Sequence, residues 1–237
     1  MKPLKSIVHT AFLLAFATSA NAASVLITNH SFESPTLADD NNAGLADRPG
    51  GFFNGWGYFM TSGSSFQDFG IENVSGGAYT GAAGSGTPFG GDGTNVAFLN
   101  QGITGGLINI FQDVGTLLPN TQYTLTVAIG QRLDRINGSA TIGLINAAFG
   151  EDNAWADGIL LNSTTAVSSV SGSFEDFTTT FTTGSTVSGN LYIGAQYVGD
   201  GTIQASVDNF RLEAIPEPSA AALLAFGVLG VLRRRRA

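Results

Sequence analysis

The sequence predicts an all-β domain: an antiparallel two-sheet β-sandwich of the jelly-roll kind, flanked by one apolar helix at each end of the chain. Three observations lead there. Short segments rich in β-branched and aromatic residues recur through residues 23–214, each closed by Gly, Asn, Asp or Ser. No helical period interrupts them, so about ten or eleven strands lack the crossovers that parallel pairing needs. No internal repeat is visible, which argues against a propeller or β-helix.

Taken in order, Val25 to Thr28 starts a strand, which Asn29-His30-Ser31-Phe32-Glu33-Ser34-Pro35 breaks. Asp39 to Gly51 reads as a polar loop, Gly55 to Thr61 and Phe66 to Val74 as strands, and the glycine-rich Gly76 to Gly93 as a long exposed loop. With no strand before it and no helix after it, that loop does not cradle phosphate. Thr94 to Asn100 and Leu107 to Val114 are apolar runs, and Pro119-Asn120 turns the chain into its clearest strand, Gln122 to Gly130. There Tyr123, Leu125, Val127 and Ile129 alternate with Thr124, Thr126 and Ala128, so one face is core. Ser139 to Ala147 follows, then an acidic loop from Glu151 to Gly158, and Ile159 to Asn162 resumes the strands. Phe177, Thr179 and Phe181 share a face, as do Leu191, Ile193, Ala195 and Tyr197. The last strand, Gln204 to Ala214, places Asp208 on the parity of Phe210 and Leu212.

The two ends are addresses. Met1 to Ala22, with Lys2 and Lys5, an apolar run and Ala20-Asn21-Ala22, has the pattern of a secretory signal peptide cleaved after Ala22. Residues 23–214 form the cargo domain, and 215–237 the tail. In the tail, Pro216-Glu217-Pro218 precedes an uncharged run from Ser219 to Leu232, and Arg233-Arg234-Arg235-Arg236 follows. Fourteen residues of helix cover about 21 Å against ~30 Å of hydrocarbon, short for a permanent anchor. The arginines stay cytoplasmic by the positive-inside rule. Motif, apolar helix and basic cluster in this order resemble the PEP-CTERM sorting signal. That resemblance implies an exosortase-type membrane transpeptidase as partner, transient insertion through 219–232, and delivery to the cell surface or extracellular space.

Without its ends the chain keeps four basic residues, Arg48, Arg132, Arg135 and Arg211, against seventeen acids, a net charge of −13. Such a surface repels nucleic acid and anionic lipid and suits divalent cations. There is no cysteine, hence neither a disulfide framework nor a thiolate site. Within the cargo His30 is the single histidine and lysine is absent, which leaves carboxylate chemistry as the main enzymatic option.

Asp208 is the most informative residue, because a carboxylate pointing to a core must be paired, hydrogen-bonded or on a cation. Glu33 poses the same question. Asn29-x-Ser31-Phe32-Glu33, Trp56, Tyr123-Thr124-Leu125 and the closing Val207-Asp208-Asn209-Phe210-Arg211-Leu212 together resemble the galactose-binding-like jelly roll shared by many carbohydrate-binding modules. That resemblance implies a structural Ca²⁺ held by Glu33 and Asp208, with Asp92 as a third acid. The alternative is that these carboxylates cap backbone N–H groups or pair with arginine. Trp155, Tyr58 and Phe59 are candidate sugar platforms, since an aromatic face stacks on a pyranose; Trp56, between glycines, belongs to the core. Arg132 and Arg135, flanking Asp134, either grip a ligand bidentately or form a loop salt bridge. The reading that results is a non-enzymatic exported surface or matrix protein that binds or organises exopolysaccharide, with no catalytic residue assigned. A glycan hydrolase using Glu33, Glu72, Glu151 or Glu175, and a purely structural protein without glycan binding, are the alternatives.

Overall fold

In a computed structural model of the protein, the structure describes residues 22–38, 42–43, 54–61, 68–74, 76–82, 86–101, 104–199 and 204–217. The expected signal helix and tail helix lie outside these residues. Among the described residues no helix is long and apolar enough to cross a membrane.

The strands are β1 (Ala23–Val25), β2 (Asn42–Ala43), β3 (Gly57–Met60), β4 (Asp68–Asn73), β5 (Asn95–Asn100), β6 (Leu107–Thr116), β7 (Thr121–Gln131), β8 (Ala140–Ala147), β9 (Ile159–Ala166), β10 (Ser173–Thr182), β11 (Asn190–Val198) and β12 (Gln204–Pro216). One sheet has seven strands in the order β10-β7-β12-β5-β4-β2, with β1 added beside β12, and the other has five in the order β3-β6-β11-β8-β9. Every pairing is antiparallel. The alternation read in β7 holds: Tyr123, Leu125, Val127 and Ile129 enter the core between the sheets and meet Ile110, Ile142, Leu144 and Ile193 from the other side. Trp56 is fully buried there, its Nε1 donating to the Thr28 carbonyl at 3.0 Å, and its ring centroid lies 4.7 Å from Phe210 and 5.3 Å from Phe32.

Three local expectations are corrected. The acidic loop contains a helical turn, α1 (Ala154–Asp157), because the Asn153 carbonyl accepts the N–H groups of Ala156 and Asp157 and Gly158 closes it onto Ala154. The glycine-rich 76–93 segment is not a free exposed loop. Its residues Ala78, Tyr79 and Ala82 are buried against Val96, Ala128 and Phe174 on the outer face of the seven-stranded sheet, since three apolar side chains outweigh the segment's glycine content.

The third correction concerns Asp208. Val207 pairs with Ile129 and Leu212 with Leu125, both core rungs, but Asp208 pairs with Ala128, whose side chain belongs to the outer cluster. A bulge between Asp208 and Arg211, with Asn209 at φ 49°, inserts the residue that switches parity. Asp208 therefore faces outward while Phe210 faces inward, and its burial comes from the loop laid over it rather than from the sandwich interior.

Candidate functional site

Two regions concentrate polar chemistry on the seven-stranded sheet, and one aromatic face stands on the five-stranded sheet. In the first region the fold brings Glu33, Asp92 and Asp208 to the segment 90–95. Asp208 Oδ2 accepts the Asp92 N–H at 2.7 Å and its Oδ1 accepts the Asn209 N–H at 2.7 Å. Glu33 Oε1 accepts the N–H groups of Thr94 and Asn95 at 2.9 and 2.7 Å, and its Oε2 accepts the Thr94 hydroxyl at 3.2 Å. The carboxylates fit so closely that a Cβ on Gly93 would lie 2.4 Å from the Glu33 carboxyl carbon, and one on Gly91 3.1 Å from Asp208 Oδ2. Burial pushes the Asp208 carboxyl well above the usual carboxylate range, and the two N–H bonds only partly oppose this. His30 Nδ1 stands 3.8 Å from Asp92 Oδ2. Among the described residues no group of three acidic or histidine side chains converges as a metal site, and the oxygens of Glu33 and Asp208 already hold backbone N–H groups.

The second region is built on Arg132. Its guanidinium donates to Glu72 Oε1 at 2.9 Å and bidentately to Asp134 at 2.8 and 2.9 Å, and lies over the Tyr79 ring at 5.9 Å. Arg135 reaches Asp134 at 3.7 Å and Gln204 Oε1 at 3.4 Å. Burial raises the Glu72 carboxyl despite Arg132, whereas the Arg132 hydrogen bonds hold Asp134 low. Three of the five Arg132 N–H donors are thus taken by Glu72 and Asp134, and the buried guanidinium ties the 76–82 segment to the sheet.

The third region is the outer face of the five-stranded sheet. Phe111, Ile145 and Tyr192 point away from the core and form a cluster with Ala147 and Ala154, against which Phe59 and Trp155 pack. Glycines make the platform possible. A Cβ on Gly143 would meet Trp155 Cη2 at 2.7 Å, and one on Gly194 would meet Trp155 Nε1 at 2.7 Å and the Ile110 carbonyl at 2.3 Å. The indole therefore lies flat across β8 and β11, its N–H directed at the Ile110 carbonyl at 3.4 Å. Beside it opens a cleft of about 240 Å³ walled by Phe111, Tyr192 and Phe149 and rimmed by Asp113, Glu151 and Asp152. Tyr192 Oη donates to the Ala148 carbonyl at 2.8 Å and accepts the Glu151 N–H at 3.1 Å, which fixes the rim. Phe149 is 86% exposed at the mouth. On the same face Asn109, fully buried between Phe59 and Gln196, has no partner for either its oxygen or its nitrogen.

Of the aromatics singled out in the sequence, Trp155 and Phe59 stand on this face and Tyr58 does not. Tyr58 turns to the inner side, its ring 4.3 Å from Phe69. Phe111, Tyr192 and Phe149 were missed. Phe111 and Tyr192 occupy the alternate positions of strands whose other parity is apolar as well, and an isolated Phe149 carries no pattern. Of the four glutamates, Glu33 and Glu72 are held as described, Glu175 accepts the Ser168 hydroxyl at 3.1 Å, and Glu151 alone stands on the cleft.

The sandwich fold and the sorting motif in the tail together define an exported β-sandwich. Residues 214–236 match the PEP-CTERM protein-sorting motif, so the chain is an exosortase-processed exported protein that transits the membrane, and the motif itself is not catalytic. Residues 23–213 match the HpiC1-like family, described as HpiC1 cyclase, and the chain belongs to that family. Among solved structures, an apo-form cyclase from Fischerella sp. is 24% identical, with 85% of this chain and 100% of that one covered and a TM-score of 0.65. The Stig cyclase Fisc from Fischerella sp. TAU, in complex with (3Z)-3-(1-methyl-2-pyrrolidinylidene)-3H-indole, is 23% identical over 84% of this chain and 100% of that one, TM-score 0.64. A Fischerella sp. TAU cyclase in complex with 4-(1H-indol-3-yl)butan-2-one is 22% identical over 83% and 100%, TM-score 0.60. These likenesses establish a shared fold. No curated protein matches the chain. The cyclase family was not among the expectations from sequence.

Proposed function

We propose that the sandwich, once its tail is processed, is delivered to the cell surface or extracellular matrix and works there as a non-catalytic glycan-binding component associated with exopolysaccharide. The observation that carries this is the cleft on the five-stranded sheet. The aromatic faces of Phe111, Tyr192 and Phe149 in it, with Trp155 beside them, suit the C–H face of a sugar ring, and the carboxylates of Asp113, Glu151 and Asp152 suit its hydroxyls. Retention on a panel of immobilised bacterial polysaccharides, paired with product analysis, tests it. Retention without turnover, lost in Phe149→Ala and Trp155→Ala, is expected; failure to bind any glycan ends the proposal.

A cyclase is the second reading, supported by family membership and by Asp208. A buried carboxyl whose pKa is raised holds its proton more firmly than a free one, the direction a general acid requires. Gly91 and Asp92 cover it, so the acid would act only with the 90–95 segment lifted. Binding of 4-(1H-indol-3-yl)butan-2-one, followed by tryptophan fluorescence and sensitive to Asp208→Asn, would favour this reading; indifference to that probe would count against it.

A calcium ion at Glu33, Asp92 and Asp208 stays a proposal on the resemblance alone. Thermal melting with and without chelator decides it: a chelator-induced drop supports the ion, and an unchanged midpoint leaves the N–H bonds as the whole account.

A further inference from the structure

The sorting motif has no linker. Strand β12 runs without interruption from the sandwich into the motif, with Ala214, Ile215 and Pro216 paired to Tyr123, Gln122 and Thr121 of β7. The Glu217 N–H continues the ladder, donating to the Asn120 carbonyl at 2.7 Å. On the opposite edge β1 covers β12 only as far as Ala23 against Ala214. Among the described residues, 215–217 are thus held on one edge and open on the other.

The direction of the backbone groups follows from the ladder. Thr121 turns its own backbone toward Thr183, its N–H on the Thr183 hydroxyl at 2.9 Å and its carbonyl on the Thr183 N–H at 3.0 Å. Pro216, opposite Thr121, therefore turns its backbone to the open edge, since directions alternate along an antiparallel strand. Being proline it offers no donor there, only its carbonyl. A proline at an open edge blocks regular pairing with a stray strand while leaving one acceptor for a dedicated partner.

Reach decides what that partner must touch. In the sequence, the uncharged run begins at Ser219, two residues beyond Glu217, and two extended residues span only about 7 Å. An enzyme that works at the membrane surface cannot take up Pro216-Glu217-Pro218 as a free peptide without also meeting the end of the sandwich. That end is the turn 117–120. Its backbone is pinned by the Leu118 N–H to Tyr123 Oη at 2.9 Å and by the Thr183 hydroxyl to the Leu118 carbonyl at 2.7 Å. The Leu118 side chain, at 49% exposure, projects free of these bonds.

Resting on the processed-tail reading above, we propose that the exosortase-type transpeptidase recognises the motif while it is clamped in the sheet, docking on the open edge of residues 215–217 and on the Leu118–Asn120 turn. The folded cargo is then part of the recognition element, and the motif is read at a fixed distance from the sandwich.

The test uses the full chain co-expressed with its processing enzyme and follows the processed fraction by intact mass. Inserting Gly-Ser-Gly-Ser between Ala214 and Ile215 keeps motif, apolar run and arginines but moves them off β7, and the processed fraction is expected to fall about tenfold, the scale of lost positioning. Leu118→Asp, at an exposed site, lowers processing while the melting midpoint holds. Processing undiminished in both variants overturns the docking. Hydrogen exchange at the Glu217 amide of the unprocessed chain tests the clamp by itself: protection like that of β7 is expected, and free exchange overturns it. If wild-type protein recovered from the surface still carries Arg233 to Arg236, the processing reading fails instead, and the clamp is judged by exchange alone.

Discussion

Trp155 lies on the sheet because residue 143 has no side chain, and this makes Gly143→Ala a sharp probe of the aromatic face. Gly143 sits in β8 with ordinary strand backbone, so the substitution introduces no φ strain. Its Cβ would stand 2.7 Å from Trp155 Cη2, 3.2 Å from Trp155 Cζ3 and 3.1 Å from Leu160 Cδ1, whereas relaxed carbon pairs sit at about 3.5–4.0 Å. The indole must therefore rise by about 1 Å, an overpacking that costs about 1–3 kcal/mol. Replacing a strand glycine returns about 0.5–1 kcal/mol through the unfolded chain's lost freedom. The net expectation is a destabilisation centred on about 1 kcal/mol together with weakened glycan retention. In a Trp155→Ala background the clash is gone, Leu160 is half-exposed and yields, and the same change becomes neutral or favourable by up to about 1 kcal/mol. Urea midpoints of the four chains at constant m give the coupling directly. Equal costs of Gly143→Ala in both backgrounds would refute the packing argument.

Three further outcomes are expected. Arg132→Met strips Glu72 of its cation; a broken buried pair costs about 3–5 kcal/mol, and about 2 kcal/mol at neutral pH is a fair discount for the 18% exposure Glu72 retains. Because burial holds the Glu72 carboxyl above its unfolded value, the loss shrinks in acid as Glu72 takes a proton, and denaturation at acidic against neutral pH checks this. Asp208 also has its folded pKa raised, so the folded chain keeps a proton the unfolded chain releases, and wild-type stability declines as pH rises from about 3.9 through the raised value. Asp208→Asn removes that titration; its melting point relative to wild type, measured in chelator, should climb with pH across the window, and a flat difference speaks against the buried acid. Asn209→Gly is expected to be tolerated at φ 49°, whereas Asn209→Val costs about 1–2 kcal/mol and shifts the Asp208 bulge, which thermal melts resolve.

The sequence by itself determined the sandwich, most of its strands and the sorting tail, because period-two alternation, turn residues and the order of motif, apolar run and arginines are local signals. Gln122 to Gly130 could be read as a strand with its core face named, since each residue's direction depends only on its neighbours. The sequence also placed Glu33, Asp92 and Asp208 in one question, and the fold does gather them. Tertiary structure alone decided which way Asp208 points, because one bulged residue at Asn209 reverses parity and no composition reveals it. It alone turned Tyr58 inward, paired Arg132 with Glu72 and Asp134, and laid Ala78 and Tyr79 over the sheet. It alone assembled Phe111, Tyr192 and Phe149 into one cleft and laid Trp155 beside it. Those residues come from two strands, a loop and a helical turn far apart in the chain, and only pairing register and the missing side chains of Gly143 and Gly194 bring their faces together.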